Sequence, residues 1–150
     1  MLVKFKLNGL DVRYDIEPGD LLLDTLKEDV KSLKKGCDGS ACGVCTVLLD
    51  GKPVLSCSLL TAKCDGHEIT TVEGIQDVAE KVAECFGKEG ADQCGYCNSS
   101  FALIIYALST EYKNPTDEEI KRYLVGNLCR CTGYQAQFLA IKRYLGGLKQ

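Results

Sequence analysis

The chain has 150 residues, a hydrophobic content of 45% and a formal net charge of −3, which predicts a soluble globular protein of one domain or two small ones. The slight negative charge provides no basic footprint for nucleic acid, and no apolar run is long enough to span a membrane. Ten cysteines are the unusual feature. The first residues alternate like a strand rather than an export signal, so the cysteines favour metal over disulfides, and we expect a cytoplasmic location.

The first half of the chain has the element order hairpin, helix, hairpin and strand. Asn8-Gly9 and Asp50-Gly51 are strong turn sequences between runs of alternating apolar residues. Leucines at helical spacing after Pro18-Gly19 predict a short helix that crosses the sheet. This order is that of a β-grasp fold, and we expect it to end near Gly74. The predicted elements are strands over 3–7, 12–16, 46–49, 53–56 and 68–72 and a helix over 22–30.

A cysteine-rich loop, residues 36–45, lies between that helix and the second hairpin. Its three cysteines have the spacing C-x4-C-x2-C and a fourth follows the hairpin, which is the plant-type spacing for a [2Fe–2S] cluster. Three glycines in the loop, Gly36, Gly39 and Gly43, are expected to provide positive φ angles and close backbone approach. The predicted ligands are Cys37, Cys42, Cys45 and Cys57.

Two alternatives for this loop are weaker. Structural zinc sites usually pair two short Cys-x2–4-Cys units across a spacer, whereas here three cysteines share one glycine-rich loop. A disulfide framework would suit a secreted chain, which nothing else in the sequence indicates.

The second half changes to a helical period. The predicted helices begin near Ile75, at Asn98, after a capping box at 116–119, and at Gly133. Four helices in about 75 residues predict a small bundle. The predicted fold class is therefore α+β: an N-terminal β-grasp, plant-type ferredoxin-like domain over 1–74, then a C-terminal four-helix bundle domain over 75–150.

A second cysteine group is split between two loops, each just before a predicted helix. Cys94 and Cys97 form a C-x2-C pair, and Cys129 and Cys131 form a C-x-C pair. Helix N-termini offer unpaired amide hydrogens and a positive dipole end, both of which suit a negatively charged cluster. The spacing alone leaves a zinc site open, and also a redox dithiol at Cys94 and Cys97.

The whole chain resembles the two-cluster iron–sulfur subunit of the molybdenum hydroxylases, the xanthine dehydrogenase and aldehyde oxidoreductase family. The resemblance rests on the 36–45 loop, on Gln93-Cys94-Gly95-Tyr96-Cys97 and on Gly126-Asn127-Leu128-Cys129-Arg130-Cys131-Thr132-Gly133-Tyr134. It implies two [2Fe–2S] clusters, the second held by Cys94, Cys97, Cys129 and Cys131. It also implies that Gln93 contacts the molybdopterin of a large partner subunit, from which electrons pass through the second and then the first cluster to an FAD subunit or external acceptor.

The chain departs from the family pattern at two places. Asn98-Ser99-Ser100 stands where Thr-Pro-Gly is common, and we expect Asn98 to cap the helix. Asp38 stands where glycine is common and adds a charge near the first cluster. The second cluster, placed between helix ends, is expected to be the more buried of the two.

The remaining candidates have modest expected roles. Cys64 and Cys85 are expected to be small buried apolar residues, and His67 to be solvated. Tyr96 and Tyr134 are expected to pack against neighbouring helices rather than line a route to the pterin. Arg130 has two readings, contact with cluster or partner and simple solvation. No nucleophile–base pair or phosphate-binding glycine loop is evident, so substrate chemistry is assigned to a partner. The alternative function is a free-standing two-cluster ferredoxin or redox sensor.

Overall fold

The computed structural model describes residues 1–147, a five-stranded mixed sheet followed by a helical region. Strands β1 (Leu2–Leu7) and β2 (Leu10–Asp15) pair antiparallel. Asn8 and Gly9 form their turn at φ 52° and 81°, the left-handed values that a tight hairpin requires. The first predicted hairpin is confirmed.

The sheet continues with β3 (Thr46–Leu49), β4 (Lys52–Leu55) and β5 (Glu68–Thr70), in the order β2-β1-β5-β3-β4. β5 pairs parallel with β1 and antiparallel with β3. The first and last strands of this half of the chain are therefore neighbours in the middle of the sheet. β5 is two residues shorter than predicted, because a 3-10 turn begins at Val72 and leads into the helical region.

Helix α1 (Leu22–Leu26) is shorter than its apolar period indicated. Val30 lies beyond the helix end yet is only 3% exposed, since the turn after α1 keeps it against the sheet. The leucines of α1 and Val30 share one core with the inward side chains of β1, such as Phe5. The periodicity therefore identified the core positions correctly but overestimated the length of the helix.

Within residues 1–147, four helices follow the sheet: α2 (Gln76–Lys88), α3 (Asn98–Glu111), α4 (Asp117–Leu124) and α5 (Gln135–Gly147). α3 is the apolar centre, buried over most of its length, and it contacts α2, α4 and strand β3. α5 begins two residues later than predicted, because Gly133 and Tyr134 adopt φ angles of 67° and 71° that no α-helix accepts. No helix within residues 1–147 is long and apolar enough to cross a membrane.

The core of the helical region extends onto the sheet. Val44 and Leu48 belong to the same buried cluster as the side chains of α3, such as Phe101 and Ile105. The segment that carries the first cysteine loop is therefore packed against the helices that follow the second group.

Candidate metal centres

The first group of cysteines is assembled from the 36–45 loop and the turn that follows β4. The thiols of Cys37 and Cys42 are close enough to affect each other's pKa, and so are those of Cys45 and Cys57. Cys57 reaches the loop from the 3-10 turn Ser56–Ser58, where its Sγ lies 3.4 Å from Ser40 Oγ. The four predicted ligands thus meet as two pairs.

The glycines of this loop have different roles. Gly43 has a φ of 74°, as predicted. Gly36 lacks a positive φ, but a Cβ there would lie 3.1 Å from Cys42 Sγ, so its role is close approach alone. Gly39 has neither a positive φ nor a described heavy atom within 4 Å of an added Cβ. The other residue of the loop with a left-handed backbone is Ser40, at φ 51°.

Hydrogen bonds to sulfur divide the first group into more and less acidic thiols. The Ala41 amide donates to Cys37 Sγ at 3.4 Å. This hydrogen bond, together with one from the Cys42 amide, lowers the pKa of Cys37 to about 7. Burial raises the pKa of Cys42 and of Cys45. Burial opposes ionisation of Cys57, but hydrogen bonds with Ser40 and Cys45 lower its pKa. Each pair therefore contains one thiol that ionises readily and one that ionises when a cation compensates its burial.

The second group lies at two helix starts, as predicted. Cys97 is the N-cap residue of α3, and Cys129 and Cys131 lie in the loop before α5. The thiols again meet in pairs, Cys97 with Cys129 and Cys94 with Cys131. Burial raises the pKa of Cys97 to about 12. Burial also opposes ionisation of Cys129, but hydrogen bonds from the Thr132 hydroxyl and nearby amides bring its pKa to about 7.

The expected order of burial is wrong for the isolated chain. Cys94 and Cys131 are exposed, whereas none of the first group's thiols is fully exposed. The reason is that both motifs occupy the loops ahead of α3 and α5, at the surface end of those helices, rather than the packed helices themselves. An open cavity of about 690 Å³ separates the two loops and also reaches Cys42 and Val44 of the first group.

The two cysteine loops are hydrogen-bonded to each other. The Leu128 amide donates to the Cys42 carbonyl at 2.8 Å, and Asn127 Nδ2 donates to the Gly43 carbonyl at 3.2 Å. Asn127 is only 3% exposed, and a Cβ on Gly43 would overlap the Gly126 carbonyl oxygen. The sequence analysis included Asn127 in a motif but gave it no role of its own, since it has no thiol and its partner is 84 residues away.

Both tyrosines differ from the expectation that they pack against helices. Tyr96 is 45% exposed, donates its hydroxyl to the Lys35 carbonyl and lies under the Lys34 ammonium. Tyr134 is 40% exposed, and its hydroxyl accepts a hydrogen bond from the Cys129 amide at 3.0 Å. Each ring therefore fixes the backbone of a cysteine loop instead of filling the core.

The prediction that Asn98 caps α3 is also wrong. The cap residue is Cys97, without a side-chain cap bond, and Asn98 Nδ2 donates instead to Asp92 Oδ1 at 2.9 Å. A hydrogen bond from Ser100 Oγ to the Cys97 carbonyl holds this first turn. Asp38 is partly compensated, because Lys35 Nζ lies 2.8 Å from its carboxylate.

The other candidates lie apart from these thiols or on their rim. Cys64 is fully buried, and burial raises its pKa to about 11, whereas Cys85 is only half-buried. His67 is exposed but paired, its Nδ1 lying 2.6 Å from Asp50 Oδ2. Gln93 and Arg130 are exposed beside the second group.

The donor sets suit a binuclear cluster, in which each iron takes two thiolates. Each group of four presents two thiol pairs, with amides and hydroxyls directed at the sulfurs. Across residues 1–147, no three or more Cys, His, Asp or Glu side chains converge as a single-ion site.

Two iron–sulfur domain families match the chain. Residues 5–70 match the family described as 2Fe-2S iron-sulfur cluster binding domain, and residues 71–142 match the [2Fe-2S] binding domain.

Similar curated proteins are small iron–sulfur subunits. The chain is 42% identical to the nicotinate dehydrogenase small FeS subunit of Eubacterium barkeri, covering 88% of this chain and 87% of that protein. It is 38% identical to the xanthine dehydrogenase iron-sulfur-binding subunit of Escherichia coli O157:H7, covering 89% and 87%.

Solved structures have the same fold. A chain of quinoline 2-oxidoreductase from Pseudomonas putida 86 superposes with a TM-score of 0.87 at 32% identity, over 98% of this chain and 94% of that one. The aldehyde oxidoreductase from Desulfovibrio desulfuricans ATCC 27774 superposes with a TM-score of 0.90 at 32% identity, but this chain spans only 17% of that longer polypeptide. The chain therefore belongs to the family of iron–sulfur subunits of the molybdenum hydroxylases, as a small electron-transfer subunit of an oxidoreductase.

Proposed function

We propose that the two groups of thiols are the ligands of two [2Fe–2S] clusters. The observation that carries this assignment is the meeting of the eight thiols in four pairs, since each iron of such a cluster takes two thiolates. When bound, such a cluster accepts and releases one electron at a time. The proposed pairs are Cys37 with Cys42, Cys45 with Cys57, Cys94 with Cys131, and Cys97 with Cys129.

The chain's own residues would supply the environment of the sulfurs. Amides such as that of Ala41 donate toward thiolate sulfur, which stabilises negative charge there, and the Thr132 hydroxyl lies 3.3 Å from Cys129 Sγ. Val44 and Ala102 belong to the apolar cluster behind the two loops and limit the access of water from that side.

The rim of the second group is the proposed docking face for a large molybdenum-cofactor subunit. Gln93, Cys94 and Cys131 are all exposed there, and a cluster held by exposed thiols needs a partner to shield it from solvent. We propose that Gln93 contacts the molybdopterin, that substrate oxidation occurs on the partner, and that electrons leave through the first group toward an FAD subunit or external acceptor. A cytoplasmic location remains a prediction.

The finer description of the fold belongs to the same proposal. The sheet half would be a β-grasp domain over 1–74 and the helical half a four-helix bundle over 75–150, of which residues 148–150 lie outside the described part of the chain. The order of the strands and the contacts of α2 with α3 and α5 support this division.

The proposed role of Gln93 is testable in the assembled enzyme. Gln93→Ala should leave iron and sulfide content unchanged but slow reduction of the clusters by about tenfold or more, because the contact nearest the pterin is lost. The measurement is rapid mixing with the substrate that the purified assembly oxidises, followed at the visible absorption of the clusters. Gln76→Ala is the matched control, since Gln76 is also exposed but begins α2, whereas Gln93 lies in the loop beyond the C-terminal end of that helix.

Equal rates for Gln93→Ala and the parent, at full molybdenum content, would remove Gln93 from the relay. If the chain instead purifies as a monomer that binds no larger subunit, the free-standing ferredoxin function replaces the proposed one.

A further inference from the structure

A chain of polar side chains leads from the second cysteine group into the core of the helical region. Thr132 Oγ1 lies 3.3 Å from Cys129 Sγ and 2.7 Å from Gln137 Oε1, and it accepts a hydrogen bond from the Tyr134 amide at 3.3 Å. Gln137 is 1% exposed on the first turns of α5. Its Nε2 has no hydrogen-bond partner within the described part of the chain.

The Thr132 hydroxyl has one proton and two neighbours that could accept it. If it donates to Gln137 Oε1, Cys129 Sγ receives nothing from it, and both hydrogens of the buried Gln137 amide stay unpaired. A half-turn of the Gln137 amide exchanges its oxygen and nitrogen. Nε2 then donates to Thr132 Oγ1, and the hydroxyl proton is free to point at Cys129 Sγ.

The second orientation is favoured by the cost of burial. An unpaired buried donor group costs about 1–3 kcal/mol, and unpaired buried carbonyls are tolerated more often than unpaired N–H groups. In this orientation Thr132 Oγ1 accepts from Gln137 and from the Tyr134 amide and donates to sulfur, so that its full hydrogen-bonding capacity is used.

We propose that Gln137 and Thr132 form a hydrogen-bond chain that directs one proton at Cys129 Sγ and thereby raises the reduction potential of the second cluster. A hydrogen bond to a thiolate stabilises negative charge, and the reduced cluster carries one more negative charge than the oxidised one. Thr132 and Gln137 are positioning residues in this scheme. The inference depends on the proposed function only in that Cys129 is a ligand.

Thr132→Val tests the hydroxyl. The full chain carrying both clusters is titrated with a reductant, and the reduced-state EPR signal of the second cluster is followed against potential. We expect a more negative midpoint potential for Thr132→Val and a value close to the parent's for Thr132→Ser, which keeps the hydroxyl. Thr110→Val is the control, because the Thr110 hydroxyl donates to the Ala107 carbonyl within α3. Equal potentials for the parent and Thr132→Val would overturn the proposal.

Gln137→Met tests the amide orientation and remains informative if Thr132→Val assembles poorly. With the proposed orientation, removal of the amide leaves the Thr132 hydroxyl still donating its hydrogen bond to Cys129 Sγ, and the reduction potential stays unchanged or falls slightly. With the opposite orientation, removal takes away the acceptor of the Thr132 hydrogen bond, so that the hydroxyl can donate to Cys129 Sγ instead, and the potential rises. A rise would contradict the proposal. Failure of the ligand assignment is distinguishable, since Cys129→Ser would then retain the iron of the parent.

Discussion

Two constraints exclude a side chain at Gly43, which lies between Cys42 and Cys45 in the first loop. Its φ of 74° is strained for a residue with a Cβ, and the added carbon would overlap the Gly126 carbonyl oxygen and lie 3.0 Å from Asn127 Cα. The absence of a side chain is therefore what allows the two cysteine loops to approach closely.

Gly43→Ala should lower the free energy of unfolding by about 2 kcal/mol or more, through backbone strain and overlap together. Gly51→Ala is the matched control, because Gly51 has a φ of 80° and no described heavy atom within 4 Å of an added Cβ. Chemical denaturation of the iron-loaded chains gives both values. Equal losses for the two variants would mean that the close approach contributes nothing.

Cys42→Ser should remove one cluster and lower iron from about four to about two per chain. Cys64→Ala should retain all of the iron, since Cys64 is buried in the core of the sheet half, outside both thiol groups. Iron and acid-labile sulfide analysis measures the difference. Full iron content in Cys42→Ser would exclude Cys42 as a ligand.

At the level of single residues, local spacing predicted the cysteines but not their neighbours. Seven of the eight candidate ligands lie in C-x4-C-x2-C, C-x2-C and C-x-C patterns, and the eighth, Cys57, follows the second hairpin; for the second group the family resemblance was also needed to favour a cluster. Asn127 and Gln137 have no such pattern, because their roles depend on partners that the fold brings to them. The prediction for Tyr96 was wrong for the same reason. An aromatic ring predicts packing in the core, but the Tyr96 hydroxyl donates to the Lys35 carbonyl at the surface.

At the level of elements, helix α4 agrees best with its sequence prediction. The Thr116 hydroxyl accepts from the Glu119 amide at 3.3 Å, and the Glu119 carboxylate accepts from the Thr116 amide at 2.7 Å. Capping residues act over four positions, so their effect can be read from the sequence alone. α5 was predicted less well, because the left-handed turn that delays it depends on how the cysteine loop closes.

Thr116→Ala should lower the free energy of unfolding by about 1 kcal/mol at neutral pH. The hydrogen bond from the Thr116 backbone, then that from its hydroxyl, lowers the pKa of Glu119 in the folded chain. A lowered folded pKa stabilises the fold above the unfolded pKa of the carboxyl, and that contribution is lost as the pH falls through the folded value. The difference between parent and variant should therefore shrink in acid. Denaturation at a series of pH values checks this, and a difference independent of pH would contradict it.

At the level of the whole molecule, the two halves are joined where their cysteine loops meet. The bond from the Leu128 amide to the Cys42 carbonyl links a cysteine of the first group to the residue that precedes Cys129 of the second. The sequence could predict the two halves separately, but not this junction or the exposure of Cys94 and Cys131. Which end of a helix faces solvent is decided by packing between elements, and the helical period does not encode it.

Asn127→Ala should lower the free energy of unfolding by about 1–2 kcal/mol, because a buried hydrogen bond and its packing are lost. Asn98→Ala should cost less than about 0.5 kcal/mol, since its bond to Asp92 is at the surface. Thermal unfolding of both variants in the iron-loaded state provides the comparison. Equal stability of Asn127→Ala and the parent would mean that the hydrogen bond of Asn127 to the Gly43 carbonyl does not contribute to folding.

The central claim is that this one chain holds two [2Fe–2S] clusters in different surroundings. Quantitative EPR of the fully reduced, iron-loaded chain tests it most directly, because each reduced cluster contributes one unpaired electron. We predict two distinguishable signals that together integrate to about two spins per chain, one from the glycine-rich loop and one from the group at the helix starts. A single signal integrating to about one spin per chain, or no signal in a chain that contains zinc, would contradict the account.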